Sequence, residues 1–323
     1  MRQLYEKIER LLQLVQYEDI CPEFRRCGFA LYNGDHVWLK GRIIPWDERF
    51  IGNTSIDFEG DFIAIYQVEN PQEADVEVLT ADLVHEMFHA HQQRSGENRY
   101  PDDLKLLAYP ANMDNYRLKY AENQLLATAY EETGGRKAEL LAAFRAIRES
   151  RRKLLGDDLE QELLAEHIEG RAEYAGCRAL QSISTGKFKE RMGRYLAALR
   201  TVNQAFFDIR RQAYITGALY HFVSADCREE PLQSELWKYQ QTGKKQVEAF
   251  LAQKPVGKKG DYLICGYDPM NMIRSGEQVL CTHFVILASG EETRFLDGPV
   301  LLKIKEGSDQ EVEEYWKLPS QEL

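Results

Sequence analysis

Ala74-Asp75-Val76-Glu77-Val78-Leu79-Thr80-Ala81-Asp82-Leu83-Val84-His85-Glu86-Met87-Phe88-His89-Ala90-His91-Gln92-Gln93-Arg94-Ser95 holds neither glycine nor proline. Val76, Leu79, Leu83, Met87 and Ala90 recur at three- and four-residue spacing, which predicts one helix with Gly96 as its stop. Within it, residues 85–89 form an HExxH pentapeptide. At about 3.6 residues per turn, positions i and i+4 share a face, so both imidazoles can reach one metal ion. Glu86 stands beside them, able to take a proton from a water on that metal. Upstream, Phe62-Ile63-Ala64-Ile65-Tyr66 is an apolar, β-branched and aromatic run between Gly60 and Asn70-Pro71, which predicts a strand leading into the helix.

A catalytic zinc site usually takes three protein ligands and leaves a fourth position to water. Glu166-His167-Ile168-Glu169-Gly170-Arg171-Ala172-Glu173-Tyr174-Ala175 supplies the candidates, inside a helical pattern from about Asp158 to Ser184. Glu169 and Glu173 are four apart and project from one face, so one carboxylate can bind metal while the other orients a ligand histidine. Gly170 costs a helix about 1 kcal/mol relative to alanine, which points to a close approach by another segment. The plainer reading puts both glutamates on a solvated face flanking Arg171. Glu122, on a helix expected from Tyr116 to Glu132, is the rival third ligand. His91, two residues after His89, should face away from the ligand pair.

HExxH followed by a helix bearing Glu-Gly-x-Ala-x-Tyr resembles the gluzincin metallopeptidases, the thermolysin-like and aminopeptidase N-like enzymes. The resemblance implies His85, His89 and Glu169 as zinc ligands, Glu86 as general base, and Glu173 as the acidic residue behind a ligand. Tyr214-Ile215-Thr216-Gly217 is similar to the Tyr-x-x-Gly segment of the aminopeptidase N-like group, which implies that Tyr214 stabilises the oxyanion, with His221 in reserve. The 80 residues from His89 to Glu169 are a longer gap than in the best-known members. No Gly-x-Met-Glu-Asn segment precedes the histidines, so aminopeptidase activity is not expected. Gln92 and Ser95 occupy the glycine and third-histidine positions a metzincin would need.

The expected activity is hydrolysis of peptide bonds by a Glu-activated, zinc-bound water, acting on a peptide or small protein. The alternatives are a zinc amidase or esterase with a non-peptide substrate, and an inactive gluzincin-like binding or regulatory protein. Whether Glu86 is free in a polar cleft or tied in a salt bridge separates the last from the other two.

Forty-one basic against 52 acidic residues give a net charge of −11, and no basic stripe with interleaved aromatics stands out, so a nucleic-acid partner is not expected. No stretch approaches the roughly 18 apolar residues needed to span a bilayer, and the amphipathic start Met1-Arg2-Gln3-Leu4-Tyr5-Glu6 has no apolar h-region. A cytoplasmic protein with reduced cysteines is expected. Arg151-Arg152-Lys153 and Lys258-Lys259 read as solvated faces or helix ends.

The fold class expected is α+β. A first helix spans about Leu4 to Tyr17. A β-rich region follows over 27–70, with Asn33-Gly34 marking a hairpin between Phe29–Tyr32 and His36–Leu39. Its strands should form a small mixed sheet beside the HExxH helix, with an edge able to pair with an extended peptide. Helices dominate 74–252, so that 1–252 forms a zincin-like catalytic domain. Gln253 to Gly260 is the best linker. A small β-rich module, 256–323, carries strands at Asp261–Cys265, Gln278–Leu287 and Val300–Ile304.

Overall fold

The structure is a computed structural model that describes residues 1–107, 109–110, 112–224, 257–267, 272–275, 277–290 and 292–317. It is α+β, and the chain divides into two compact units. The first comprises Met1–Tyr100, Leu164–Ala197 and Ala213–Ala225; the second comprises Pro101–Leu163, Ala198–Gln212 and Asp226–Leu323. The boundary expected between 252 and 256 lies outside the described residues.

The first unit opens with helices α1 (Arg2–Leu12) and α2 (Tyr17–Ile20), where one longer helix was expected. Strands β1 (Phe29–Tyr32), β2 (His36–Leu39), β3 (Arg42–Pro45), β4 (Thr54–Phe58) and β5 (Asp61–Gln67) form a sheet in the order β3-β2-β1-β5-β4. β1 and β2 pair antiparallel across Asn33-Gly34 as the hairpin signal predicts, and β1 runs parallel to β5, so the sheet is mixed. Period-two alternation in β1 feeds two cores. Phe29 and Leu31 face the cluster built by Leu4, Ile8 and Leu12 of α1, while Ala30 and Tyr32 face Val37, Phe50 and Ile65.

The HExxH helix, α3 (Val76–Arg94), starts at Asp75, whose carboxylate accepts from the Val78 amide. It ends where Gly96 takes a left-handed φ of 72° and returns its amide to the Gln93 carbonyl. Leu79, Leu83, Met87 and Phe88 enter the core shared with α1 and β1. No helix among the described residues is long and apolar enough to cross a membrane.

The second unit begins with α4 (Asp103–Leu107), α5 (Met113–Glu131), α6 (Gly134–Leu155) and α7 (Asp157–Ala165), the last of these up to Leu163. A π-helical turn, Glu166–Gly170, follows α7 and belongs to the first unit, as do α8 (Arg171–Ile183) and α9 (Thr185–Leu199) up to Ala197. Next come α10 (Gln204–Phe207) and α11 (Ile209–Val223), the latter returning the chain to the first unit.

Among the described residues, seven antiparallel strands follow in the second unit: β6 (Lys258–Tyr267), β7 (Met272–Ser275), β8 (Gln278–Cys281), β9 (Phe284–Ser289), β10 (Glu292–Asp297), β11 (Val300–Ile304) and β12 (Glu311–Lys317), in the order β10-β9-β6-β12-β11-β8-β7. The single strand expected at Gln278–Leu287 is two, broken at Thr282-His283 and sent to separate places in the sheet. Lys258-Lys259-Gly260, read as linker, begins β6, while the rest of that candidate up to Val256 lies outside the described residues.

The reading of Arg151 as solvated is corrected. It is fully buried on α6, donating to Glu122 of α5, Glu162 of α7, the Asn115 side chain and the Tyr109 hydroxyl. Lys119 also donates to Glu162, and Arg148 to Glu122. Burial alone would raise the Glu162 carboxyl, but Arg151 and then Lys119 reverse this and hold it far below the usual carboxylate range. The contribution of Glu162 to stability is therefore in force above the ordinary carboxylate pKa and fades as the pH falls below it. Removing one partner of a buried pair leaves an uncompensated charge. Arg151→Met should cost roughly 3–5 kcal/mol in chemical denaturation, far more than Arg152→Met at the exposed neighbour.

Candidate metal centre

α3 and α8 cross closely because α8 presents small residues to α3. Ala172, Ala175 and Ala179 are buried in the α3 core, and a side chain at Gly176 would stand 3.0 Å from the Ala81 carbonyl oxygen. That crossing brings Glu173, and Glu169 from the π-helical turn, to the histidine face of α3. Extra residues in such a turn re-aim side chains, and π-bulges cluster at functional sites. The second close approach expected from Gly170 is also present. A Cβ there would meet the Gly217 Cα of α11 at 2.4 Å. The backbone contact carries Tyr214, one turn earlier on α11, to His85, whose ring it stacks against at 5.6 Å and 9°.

His85, His89 and Glu169 converge as a group able to hold a metal ion. His85 Nε2 and His89 Nε2 are 3.1 Å apart, and Glu169 Oε2 lies 3.2 Å from the latter and 3.7 Å from the former. Tetrahedral N and O ligands at ~2.0–2.1 Å from a metal stand about 3.3–3.4 Å from one another. The donor set fits.

Two hydrogen bonds decide what those nitrogens offer. His85 Nδ1 lies 3.0 Å from Glu173 Oε2. Burial works against ionising Glu173, but His85 and then Arg191 hold its carboxyl down to about 2, so it accepts and Nδ1 donates. His89 Nδ1 lies 2.8 Å from Gln92 Oε1, and the Gln92 amide nitrogen donates to the Ile168 carbonyl at 3.1 Å, so here too Nδ1 is the donor. In the neutral rings both Nε2 atoms then turn bare lone pairs toward one point beside a carboxylate. Without a cation, protons must balance that charge. Burial opposes a charge on His85, yet Glu169 and Glu173 outweigh it and push the imidazole up to about 10.

Glu86 is buried beside the pair, and desolvation raises its carboxyl against the opposing pull of His85 and His89. Among the described residues no hydrogen bond or ion pair engages it. Tyr66 of β5 faces it, and burial, then Asp82 and Glu86, push the phenol up to about 12, so its proton is retained at neutral pH.

The sequence had no signal for the residues that hold Glu173. Tyr195 and Arg191, one turn apart on α9, and Cys177 on α8 donate to its Oε1, and Arg191 also pairs with Asp82 at 2.7 Å. Gln92 was findable, three residues after His89 on the same helix face. Of the other candidates, His91 turns away onto the rings of Phe24 and Phe88, and His221 lies 5.6 Å from the Tyr174 ring. Glu122 is tied to Arg148 and Arg151. Comparison with protein-family models, with curated proteins and with solved structures finds no match for this chain.

Elemental analysis should find metal retained by Glu122→Ala and lost from Glu169→Ala, with the Glu122 variant the less stable of the two. Gly217→Ala would set a Cβ 2.6 Å from the Gly170 Cα and 2.7 Å from the Glu166 carbonyl oxygen. About 1–3 kcal/mol of thermal stability should be lost and metal held more weakly, because the displaced turn, Glu166–Gly170, carries Glu169.

Proposed function

We propose that this protein is a zinc-dependent metallopeptidase of the gluzincin kind, hydrolysing peptide bonds in a peptide or small protein. The observation that carries the reading is the pairing of a preformed two-histidine, one-carboxylate donor set with a buried, unengaged Glu86. Two imidazoles and a carboxylate at tetrahedral spacing suit zinc. Bound there, zinc supplies Lewis acidity and brings the pKa of a coordinated water to about 7.

His85, His89 and Glu169 hold the ion, and Glu173 and Gln92 keep the two rings in register. Desolvation of Glu86 moves its basicity toward neutrality, which suits a group that accepts a proton from the attacking water and passes it to the leaving nitrogen. Tyr214, stacked on His85, is the candidate donor to the developing oxyanion. β4 is an edge strand whose one described partner is β5, and its Ser55 hydroxyl donates to Gln93 of α3, so a free strand edge lies beside the catalytic helix. An extended peptide suits such an edge through main-chain pairing, which favours a peptide over a small amide or ester.

An uncommitted Glu86 supports an active enzyme over an inactive scaffold, where this carboxylate would have no task to keep it desolvated. Glu86→Gln should retain one zinc per chain and abolish cleavage of a peptide library, and Tyr214→Phe should lower kcat by roughly 10²–10³ with metal unchanged. Full activity in Glu86→Gln would overturn the mechanism. Cleavage of aryl esters but of no peptide would move the substrate class.

A further inference from the structure

At the C-terminal end of α3 lies a pocket of about 370 Å³, lined by His91, Gln92, Ser95, Asn98, Arg99 and Arg171 among others; of these the peptidase reading uses only Gln92. Small-ligand pockets begin near ~300 Å³. Its charges do not balance. Glu97 is the one carboxylate in the lining. It accepts from the Asn98 and Arg99 amides, from the Arg99 guanidinium at 2.7 Å and from His167 Nε2 at 2.6 Å. Glu97 is thereby saturated, and its carboxyl is held well below the usual range, first by Arg99.

Arg171 meets Glu97 only at ion-pair range. Its guanidinium stands 3.9 Å from Glu97, beyond hydrogen-bond reach, and makes no hydrogen bond with any described residue. It is nonetheless fixed, 28% exposed and laid over the Phe88 ring at 5.5 Å. A guanidinium that rests over an aromatic ring and makes no hydrogen bond among the described residues has N–H groups available for bidentate recognition of an oxyanion. The Ser95 hydroxyl and the Asn98 side-chain amide, also in the lining, have no hydrogen bond among the described residues and add two neutral donors. We propose that this pocket is a binding site for a small oxyanion, the phosphate or carboxylate group of a small solute, with Arg171 as its principal ligand. Arg171 is not part of the metal-binding group, although the pocket adjoins it through Gln92, whose Oε1 bonds His89. Arg171 follows Glu169 by two residues and so leaves the helix on another face.

The test is calorimetric titration of the full chain, treated with chelator so that phosphate on a metal cannot imitate the signal. Inorganic phosphate and succinate are the two probes, at constant ionic strength, with chloride as the reference. One site per chain for phosphate, for succinate or for both is expected, and the stronger probe identifies which oxyanion the pocket takes. Arg171→Met should weaken binding at least ~10-fold and Arg171→Lys by less, since lysine keeps the charge and loses the fork. Arg2→Met, at an exposed arginine on α1, should bind as the parent chain does. Should Arg171→Met fail to fold, the lysine variant carries the comparison. Absence of saturable binding by either probe, or unchanged affinity in both Arg171 variants, would overturn the proposal and leave the metal centre untouched.

Discussion

Glu173 reaching His85 across the α3–α8 crossing is the contact on which the rest of the site depends. It exists because alanine and glycine line one face of α8, so that two helices approach closely enough for a carboxylate on one to bond an imidazole on the other. Once that bond forms, the neutral His85 ring is held in the tautomer that leaves Nε2 bare. Tyr195, Arg191 and Cys177 converge on the opposite oxygen of Glu173, so the carboxylate cannot rotate away. Gln92 performs the corresponding task for His89 by spanning it and the Ile168 carbonyl, which also ties the π-helical turn carrying Glu169 to α3.

Buried charge is handled in two opposite ways in this chain. Around Arg151, each carboxylate has guanidinium or ammonium partners and the network closes on itself. Around His85, carboxylates converge on imidazoles, Arg191 lies on the far side of Glu173, and Glu86 stays unengaged. A closed network serves the fold, whereas a set of donors left open toward one point is organised for a cation. Glu122 and Glu169 are both helix-borne glutamates, and only their surroundings place one in a closed ion-pair network and the other in a group able to hold a metal ion.

α8 and the turn before it serve two faces at once. Glu169 and Glu173 point to the histidines, while Arg171 turns to the end of α3 and lies on Phe88. Phe88 itself sits inside HExxH, between the two histidines, and packs into the core. The same helical pair thus presents anionic groups on one side and, on the other, a guanidinium with no hydrogen bond among the described residues, a separation that follows from the 100° between successive residues.

Much of the local structure was legible in the residues. Period-four placement put His85 and His89 on one face, the Asn33-Gly34 pair marked a hairpin, and Gly170 announced a close neighbour. Gly96 marked the end of α3 because only a residue at ease with positive φ closes a helix that way. These are signals of a few residues' range, written in backbone preference and helical or strand period. Which glutamate joins the histidines, that Arg151 is interior, that the π-helical turn re-aims Glu169, and that Tyr195 and Arg191 fasten Glu173 were decided only by tertiary structure. Each depends on desolvation and on partners tens of residues away. Whether a charged side chain is solvated, paired or left open is a property of what packs against it, and periodicity along the chain carries no record of that.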